Sequence, residues 1–339
     1  MIPLTYLRSS SYNTHDFCPL KFFAEYTLGW HGPSNKKADK GTIVHKALEI
    51  LACAKKAEQE GRKTYKEPDF LGTIKTTDVM KLDVDDIATQ TYYHFATAYD
   101  HHQWGEADLK DCIKWTWKAI EFNNGAFDPR KRTIVEAEPH FDLTIDESWA
   151  AYNYNGIKGQ LGIKGTIDLV TELSPGVYEI VDWKTGRRLN WATGEQKTHA
   201  KLRDDFQLRL YHYASQMLYP NIEDIMITIF FINDGGPFTI HLSRADISKT
   251  LEMIRTKFDI IRKTKIPRPN KTWKCSKFCH QGTSTFEDTS IEPLAPYGYL
   301  MTKCEQLQYA LKHRPIELVI QNMTAPGYKS TEYLAPGTT

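Results

Sequence analysis

The chain has 339 residues, with 43 Lys and Arg against 42 Asp and Glu and a formal net charge of +1, so its overall charge selects no partner. At 41% hydrophobic and 25% charged residues it is an ordinary globular composition with material for a sizeable core. Six cysteines are too sparse for a disulfide scaffold, and the longest apolar run, Ile225 to Ile232 broken only by Thr228, is of strand length and too short to cross a membrane. With no apolar segment behind a basic one in "MIPLTYLRSSSYNTHDF", the expectation is a soluble, intracellular, cytoplasmic protein without a membrane partner.

In chain order, "SSSYNTHDF" offers N-caps for a helix that carries Phe17, Phe22, Phe23 and Tyr26 and ends at Gly29. A second helix runs from about Asp39 to Gly61. Residues 62–131 read as a helical insertion, acidic between Glu67 and Glu106, with loop signals at "KEPDF" and "NNGAFDP". Three strands follow: "TIVEAEPHFDLTI", "GIKGTIDLVTEL" and "GVYEIVDWKTG", the last two joined by a turn at Ser174-Pro175-Gly176. "DDFQLRLYHYASQML" has helical periodicity and "IMITIFFI" reads as a buried strand. This order predicts an α/β core with a mixed sheet. The expected division is 1–61, N-terminal helices; 62–131, the insertion; 132–265, the core; and 266–339, a basic, cysteine-containing segment with a loosely packed tail.

Chemistry concentrates at the ends of two strands. Side chains alternate along a strand, so Ile180, Asp182 and Lys184 face one way while Val181 and Trp183 face the other. The preceding strand is expected to place Thr166 and Asp168 on one face. If the two pair as a hairpin, Asp168 approaches Asp182, and such carboxylates repel unless a cation lies between them. Hard oxygen ligands suit Mg2+ or Mn2+. Lys184 would then stand beside a metal-bound water or a scissile phosphate. A surface ion pair is the competing reading, worth under about 1 kcal/mol.

Asp, a hairpin, then Asp-x-Lys resembles the active site of the PD-(D/E)XK nuclease superfamily. Further matches are similar to its RecB-like branch: "GTIVH" resembles the motif that ends in a helix histidine, here His45; "GTID" and "IVDWKTG" carry Asp168, Asp182 and Lys184; and "QLRLY" resembles the Gln-x-x-x-Tyr motif with Gln207 and Tyr211. "FCPLKFF" extends the likeness toward the N-terminus. The resemblance implies a restriction-endonuclease-like α/β core whose mixed sheet is flanked by helices. It also implies Mg2+ or Mn2+ held by His45, Asp168, Asp182 and the Trp183 carbonyl, with Lys184, Gln207 and Tyr211 as further site residues. The implied activity is DNA hydrolysis to 5′-phosphate and 3′-hydroxyl ends, as an exonuclease on single-stranded ends in replication, recombination or repair. A non-cleaving DNA-binding subunit of the same fold and a structure- or sequence-specific endonuclease remain open, as does a helicase or recombinase partner.

Nine Lys or Arg stand against Asp259 alone between Arg255 and Lys277. Arg262, Lys263, Lys265 and Lys271, with Arg187, Arg188 and Lys197, read as contacts to the phosphate backbone, and Trp273 or Trp191 as base-stacking groups. A solvated face is the competing reading. Cys18, Cys275, Cys279 and Cys304 resemble the iron–sulfur layout of some RecB-like nucleases, one cysteine before the core and three after it, and imply a [4Fe–4S] cluster. Gaps of three and 24 residues in the last three leave His280 or a Zn2+ site as the alternative. Cys53 and Cys112 read as packing residues.

Overall fold

The computed structural model describes residues 4–154, 156–190, 193–222, 224–285 and 301–328; Trp191 lies outside them. β1 (Tyr6–Leu7) leads into α1 (Ser9–Phe17), whose Arg8 N–H is taken by Ser11 Oγ at 3.2 Å. One long helix was expected here, but the chain is extended at Cys18, because a residue before proline is disfavoured in the helical region, and Pro19 starts α2 (Pro19–Phe22). A π-helical turn, Phe23–Thr27, follows. In α3 (Lys36–Gln59), Asn35 caps the Ala38 N–H at 2.9 Å and an alanine-rich interior sustains the helix. The insertion contains a hairpin of β2 (Thr64–Lys66) and β3 (Thr73–Lys75), then α4 (Val84–Ala98) and α5 (Glu106–Gly125), whose Ile87, Ala88, Cys112 and Ile120 pack on Ile43, Leu48 and Leu51 of α3.

The first two predicted core strands each divide. The first becomes β4 (Thr133–Ala137) and β5 (His140–Thr144), broken at Glu138, which has φ +50° and precedes Pro139. A hairpin that the sequence reading passed over despite its Asn155-Gly156 dipeptide, β6 (Ala151–Tyr154) and β7 (Ile157–Gln160), intervenes. The second divides into β8 (Gly162–Thr166) and β9 (Leu169–Ser174), so Asp168 lies in a corner between strands and does not share a strand face with Thr166. The corners pair with each other: Glu138 N–H donates to the Asp168 carbonyl and Ile167 N–H to that of Pro139, both at 3.1 Å. Beyond them β5 and β8 leave for a small sheet of order β1-β8-β5.

The central sheet has the order β12-β11-β10-β9-β4. β10 (Val177–Lys184) runs parallel to β11 (Asp224–Phe231) and antiparallel to β9, and β11 pairs antiparallel with β12 (Gly236–Ser243), a strand absent from the sequence reading. A short α6 (His199–Leu202) precedes α7 (Phe206–Leu218), and α8 (Ile247–Arg262) follows the sheet. α7 and α8 cover the face that carries Ile180 and Ile227, while α3 to α5 cover the face of Val181, Trp183 and Phe230. The expected mixed sheet flanked by helices is present.

The last segment holds α9 (Cys275–Phe278), α10 (His280–Thr283), α11 (Lys303–His313) and α12 (Ile316–Met323). Residues 316–323 are no loose tail: Val319, Ile320 and Met323 join Phe17, Leu20, Phe23 and Leu28 in one apolar cluster, and Trp30 Nε1 donates to the Met323 carbonyl at 2.7 Å. Residues 329–339 lie outside the described ones. No helix among the described residues is long and apolar enough to cross a membrane.

His212, fully buried on α7, ties three elements: its Nε2 meets the Ser243 carbonyl at 3.0 Å and its Nδ1 the Thr250 hydroxyl at 2.8 Å. Burial, and then Arg209, push its pKa down to about 4, so the fold holds it neutral. The unfolded chain protonates it near 6.5, so its contribution is complete above that pH and is lost as pH falls toward 4, up to about 3 kcal/mol. His212→Gln is expected to flatten the fall in Tm between these limits relative to wild type; parallel pH profiles would contradict this.

Candidate active site

Three elements converge at the C-terminal end of β10. Asp182, fully buried, points toward α7. Asp205 caps α7 by accepting the Gln207 N–H at 3.0 Å, which fixes where the helix starts and sets Gln207 and Tyr211 one turn apart on the face toward the strand. Tyr211 OH donates to Asp182 Oδ1 at 2.8 Å, Gln207 Nε2 donates to the same oxygen at 3.0 Å, and Gln207 also donates to Tyr211 OH at 2.6 Å. Lys184 Nζ lies 2.6 Å from Asp182 Oδ2, and apart from this ion pair the buried oxygen has no hydrogen-bond donor among the described residues, so it keeps an unsatisfied lone pair.

On the other side, Asp168 Oδ2 accepts the Trp183 N–H at 2.7 Å and stands 3.4 Å from His45 Nδ1 of α3. α3 can approach this closely because position 41 is glycine: a Cβ there would come within 2.7 Å of Thr185 Oγ1. Burial works against the Asp168 charge, but His45, Lys184 and the Trp183 N–H hold its carboxyl below the ordinary value. Burial, reinforced by the Asp168 charge, pushes the Asp182 carboxyl up despite Lys184 and Tyr211. Burial lowers His45 and Lys184, yet the aspartates outweigh it and both end above their ordinary values. A carboxylate that resists ionisation beside a second one, with an unsatisfied oxygen, is an environment that an added divalent cation would relieve. The donor set of Asp168, Asp182 and His45 therefore fits such an ion.

Of these groups His45, Trp183 and Lys184 line a cleft of about 800 Å³, with Thr185, Arg187 and Phe278 among others, and Asp182 lies buried behind Lys184. The profile of the PD-(D/E)XK nuclease superfamily matches residues 9–281. The chain belongs to this superfamily. Its members use divalent metals, and DNA is the substrate that the superfamily implies. No curated protein matches the nuclease. Among solved structures it is similar to a "Putative exonuclease" from Eubacterium rectale, at 14% identity and a TM-score of 0.45 over 85% of this chain and 91% of that one. It is also similar to SSO0001, at 12% identity and a TM-score of 0.23 over 70% of this chain and 91% of that one.

Of the residues read as DNA contacts, Arg187 lines the cleft, whereas the Arg188 guanidinium stacks 4.2 Å over the Phe238 ring and Lys197 pairs with Asp205 at 2.5 Å. The basic run is helical as far as Arg262, and Asp259 binds Arg262 at 2.5 Å and Lys263 at 3.3 Å. Lys265 and Lys271 are exposed, as is Trp273, which packs edge-on against cleft residue Phe278 at 5.6 Å. Cys18, Cys275, Cys279 and Cys304 line a single apolar cavity, because α11 returns Cys304 to α2. His280 turns to Lys303, 3.4 Å away, while Cys53 lies part-buried on α3 and Cys112 is packed in the core.

The sequence reading missed Glu138. Its carboxyl is pushed up to about 7 by burial and by neighbouring Glu49 and Asp168, and the Glu-Pro dipeptide was the only visible sign of its corner. Thr185 and Phe278 were likewise missed, since only the fold brings them to the cleft.

Gly41→Ala is expected to force Thr185, a stiff and buried β-branched side chain, out of place, with a loss of about 1–3 kcal/mol and a marked fall in activity. Adding Thr185→Ala removes the clashing oxygen and should restore most of the stability. Chemical denaturation of both single variants and the double variant measures the coupling, and strictly additive losses would contradict it.

Proposed function

We propose that this nuclease is a RecB-like, Mg2+- or Mn2+-dependent deoxyribonuclease that degrades single-stranded DNA from its ends. One observation carries the reading: behind cleft residues Lys184 and His45, a buried aspartate with an unsatisfied oxygen stands beside the lysine and close to the Asp168–His45 pair. Asp168, Asp182, His45 and the Trp183 carbonyl would hold the ion. When bound, it lowers the pKa of an attacking water and neutralises phosphate charge. Lys184, kept charged by both aspartates, stabilises the negative charge that develops at phosphorus. Gln207 and Tyr211 lock Asp182 through Oδ1 and so turn Oδ2 toward the lysine side. Arg187 offers a phosphate contact at the rim. Phe278, backed by Trp273, presents rings on which unpaired bases stack, which supports single-stranded over double-stranded substrate.

The test is to incubate end-labelled linear and circular single-stranded DNA with Mg2+ or Mn2+. Linear strands are expected to shorten while circles persist, and Asp168→Asn, Asp182→Asn and Lys184→Ala proteins with wild-type circular dichroism should lose at least about 100-fold in rate. Cleaved circles would make the protein an endonuclease; binding without cleavage in either metal would make it a non-cleaving subunit.

We further propose a [4Fe–4S] cluster on Cys18, Cys275, Cys279 and Cys304. Three of the four sulfurs already receive N–H groups: Lys21 N at 3.4 Å on Cys18, Thr272 N at 3.5 Å on Cys275 and Gln308 Nε2 at 3.4 Å on Cys304. Such bonds steady thiolate ligands. Burial and the other three cysteines push Cys304 up to about 11, so its thiol ionises only against a compensating cation. Among the described residues no three of these sulfurs lie within 4.8 Å of one another, wider than the roughly 3.8 Å edges of a zinc tetrathiolate. Protein purified without oxygen is expected to be brown, with about four irons per chain, and Cys304→Ser should lose them. Colourless protein with stoichiometric zinc, or full iron in Cys304→Ser, would refute the cluster.

A further inference from the structure

A second group of metal-binding side chains lies outside the cleft and the cysteine cavity. Asp39, in the first turn of α3 and 4% exposed, directs Oδ2 toward the connection between α4 and α5. That oxygen is 2.7 Å from His102 Nε2 and 4.0 Å from His101 Nε2, and Ser34 Oγ donates to it at 2.6 Å. Ser34 Oγ also lies 3.2 Å from His101 Nε2. One ligand atom from each of Asp39, His101 and His102 falls within 4.8 Å of the others, and among the described residues this is the one such trio.

We propose that Asp39, His101 and His102 form a zinc-class transition-metal site that pins the α4–α5 connection to the start of α3. Consecutive side chains ordinarily diverge, yet these two imidazoles sit side by side, 4.0 Å between centroids, and both turn Nε2 toward the same buried carboxylate oxygen. His102 alone would satisfy a simple Asp–His hydrogen bond. The second imidazole, on a side chain 37% exposed and able to reach water, instead turns Nε2 to Ser34 Oγ, which itself donates to Asp39 Oδ2, so both rings gather around one carboxylate oxygen. Two imidazoles and a carboxylate are a donor set for zinc, with Zn–N and Zn–O distances of about 2.0–2.2 Å that imply ligand-to-ligand edges of roughly 3.3 Å. The observed spacings bracket that value, so small ring rotations close the set, and water or Ser34 Oγ completes four-coordination.

The role is structural. Lys37, Ala38 and Gly41, which flank Asp39 on α3, line the active-site cleft, and His45 follows one turn beyond Gly41. An ion here would fasten the outer side of the helix that carries the cleft wall.

The test uses the whole chain stripped with a chelator and then titrated with Co2+ or Zn2+ alone. Cobalt separates the sites: cysteine ligation gives sulfur-to-metal charge transfer, whereas a tetrahedral nitrogen and oxygen set gives visible ligand-field bands without it. Wild type should show the ligand-field bands; His101→Gln and Asp39→Asn should lose them and bind one zinc fewer, whereas Asp182→Asn, which alters only the cleft site, should keep them. Zinc affinity at this site should fall at least about 100-fold, beyond the roughly 10–100-fold typical of losing an outer-shell partner. His101 donates no short bond to Asp39, so His101→Gln tests ligation even where Asp39→Asn fails to fold. Zinc should raise the Tm of wild type but leave that of His101→Gln unmoved by this site. Identical cobalt spectra and zinc stoichiometry in wild type and His101→Gln would overturn the proposal.

Discussion

The structure depends above all on keeping a carboxylate fully buried at the end of its central strand. Removing Asp182 from water costs several kcal/mol unless its oxygens are answered. One oxygen is answered by Tyr211 and Gln207, which requires α7 to start at Asp205 and to lie along the strand at a fixed rotation. The other has only the Lys184 ion pair. Everything that places α7 therefore acts on this carboxylate, including the buried His212 ties to β12 and α8.

A second constraint is steric. The site needs a helix on one face of the sheet and a strand corner on the other to meet over the end of β10. The missing side chain at Gly41 lets α3 come down onto Thr185, and the paired corners at Glu138 and Ile167 carry Asp168 out of ladder pairing so that its carboxylate can take the Trp183 N–H. The two solutions are independent in sequence and coupled in space, since His45 meets Asp168 only when both hold.

What could be read from the sequence were features set by short-range periodicity. Alternation along "YEIVDWK" put Asp182 and Lys184 on one face, and the four-residue step from Gln207 to Tyr211 put both on one side of a helix, as found. The corner at Asp168 was not legible, because a strand that changes sheets keeps the same β-rich composition on both sides of the break. β12 and the β6–β7 hairpin were signalled by Asp234-Gly235-Gly236 and Asn155-Gly156, turn dipeptides that the reading passed over because the flanking residues do not alternate cleanly between apolar and polar. The ion pairs that draw Arg262 and Lys197 to Asp259 and Asp205 depend on helix faces and on loop paths that a charge count ignores. The meeting of four cysteines depended on where α11 returns, which spacing alone does not encode.

The apolar cluster that joins Phe17, Leu20 and Leu28 to Val319, Ile320 and Met323 is assembled from the two ends of the described chain. During synthesis its first half is exposed long before its second half exists, so it must be shielded or solvated while the sheet forms between them. Loop-closure entropy grows only logarithmically with length, so the thermodynamic penalty for joining such distant segments is modest, whereas the delay is not. During synthesis the central sheet and α7 are therefore complete before the terminal cluster can be. A chain interrupted before α12 would retain every residue that faces the cleft and yet leave Phe23 and Trp30 without their cover, an exposed apolar surface by which quality-control proteases distinguish unfinished molecules.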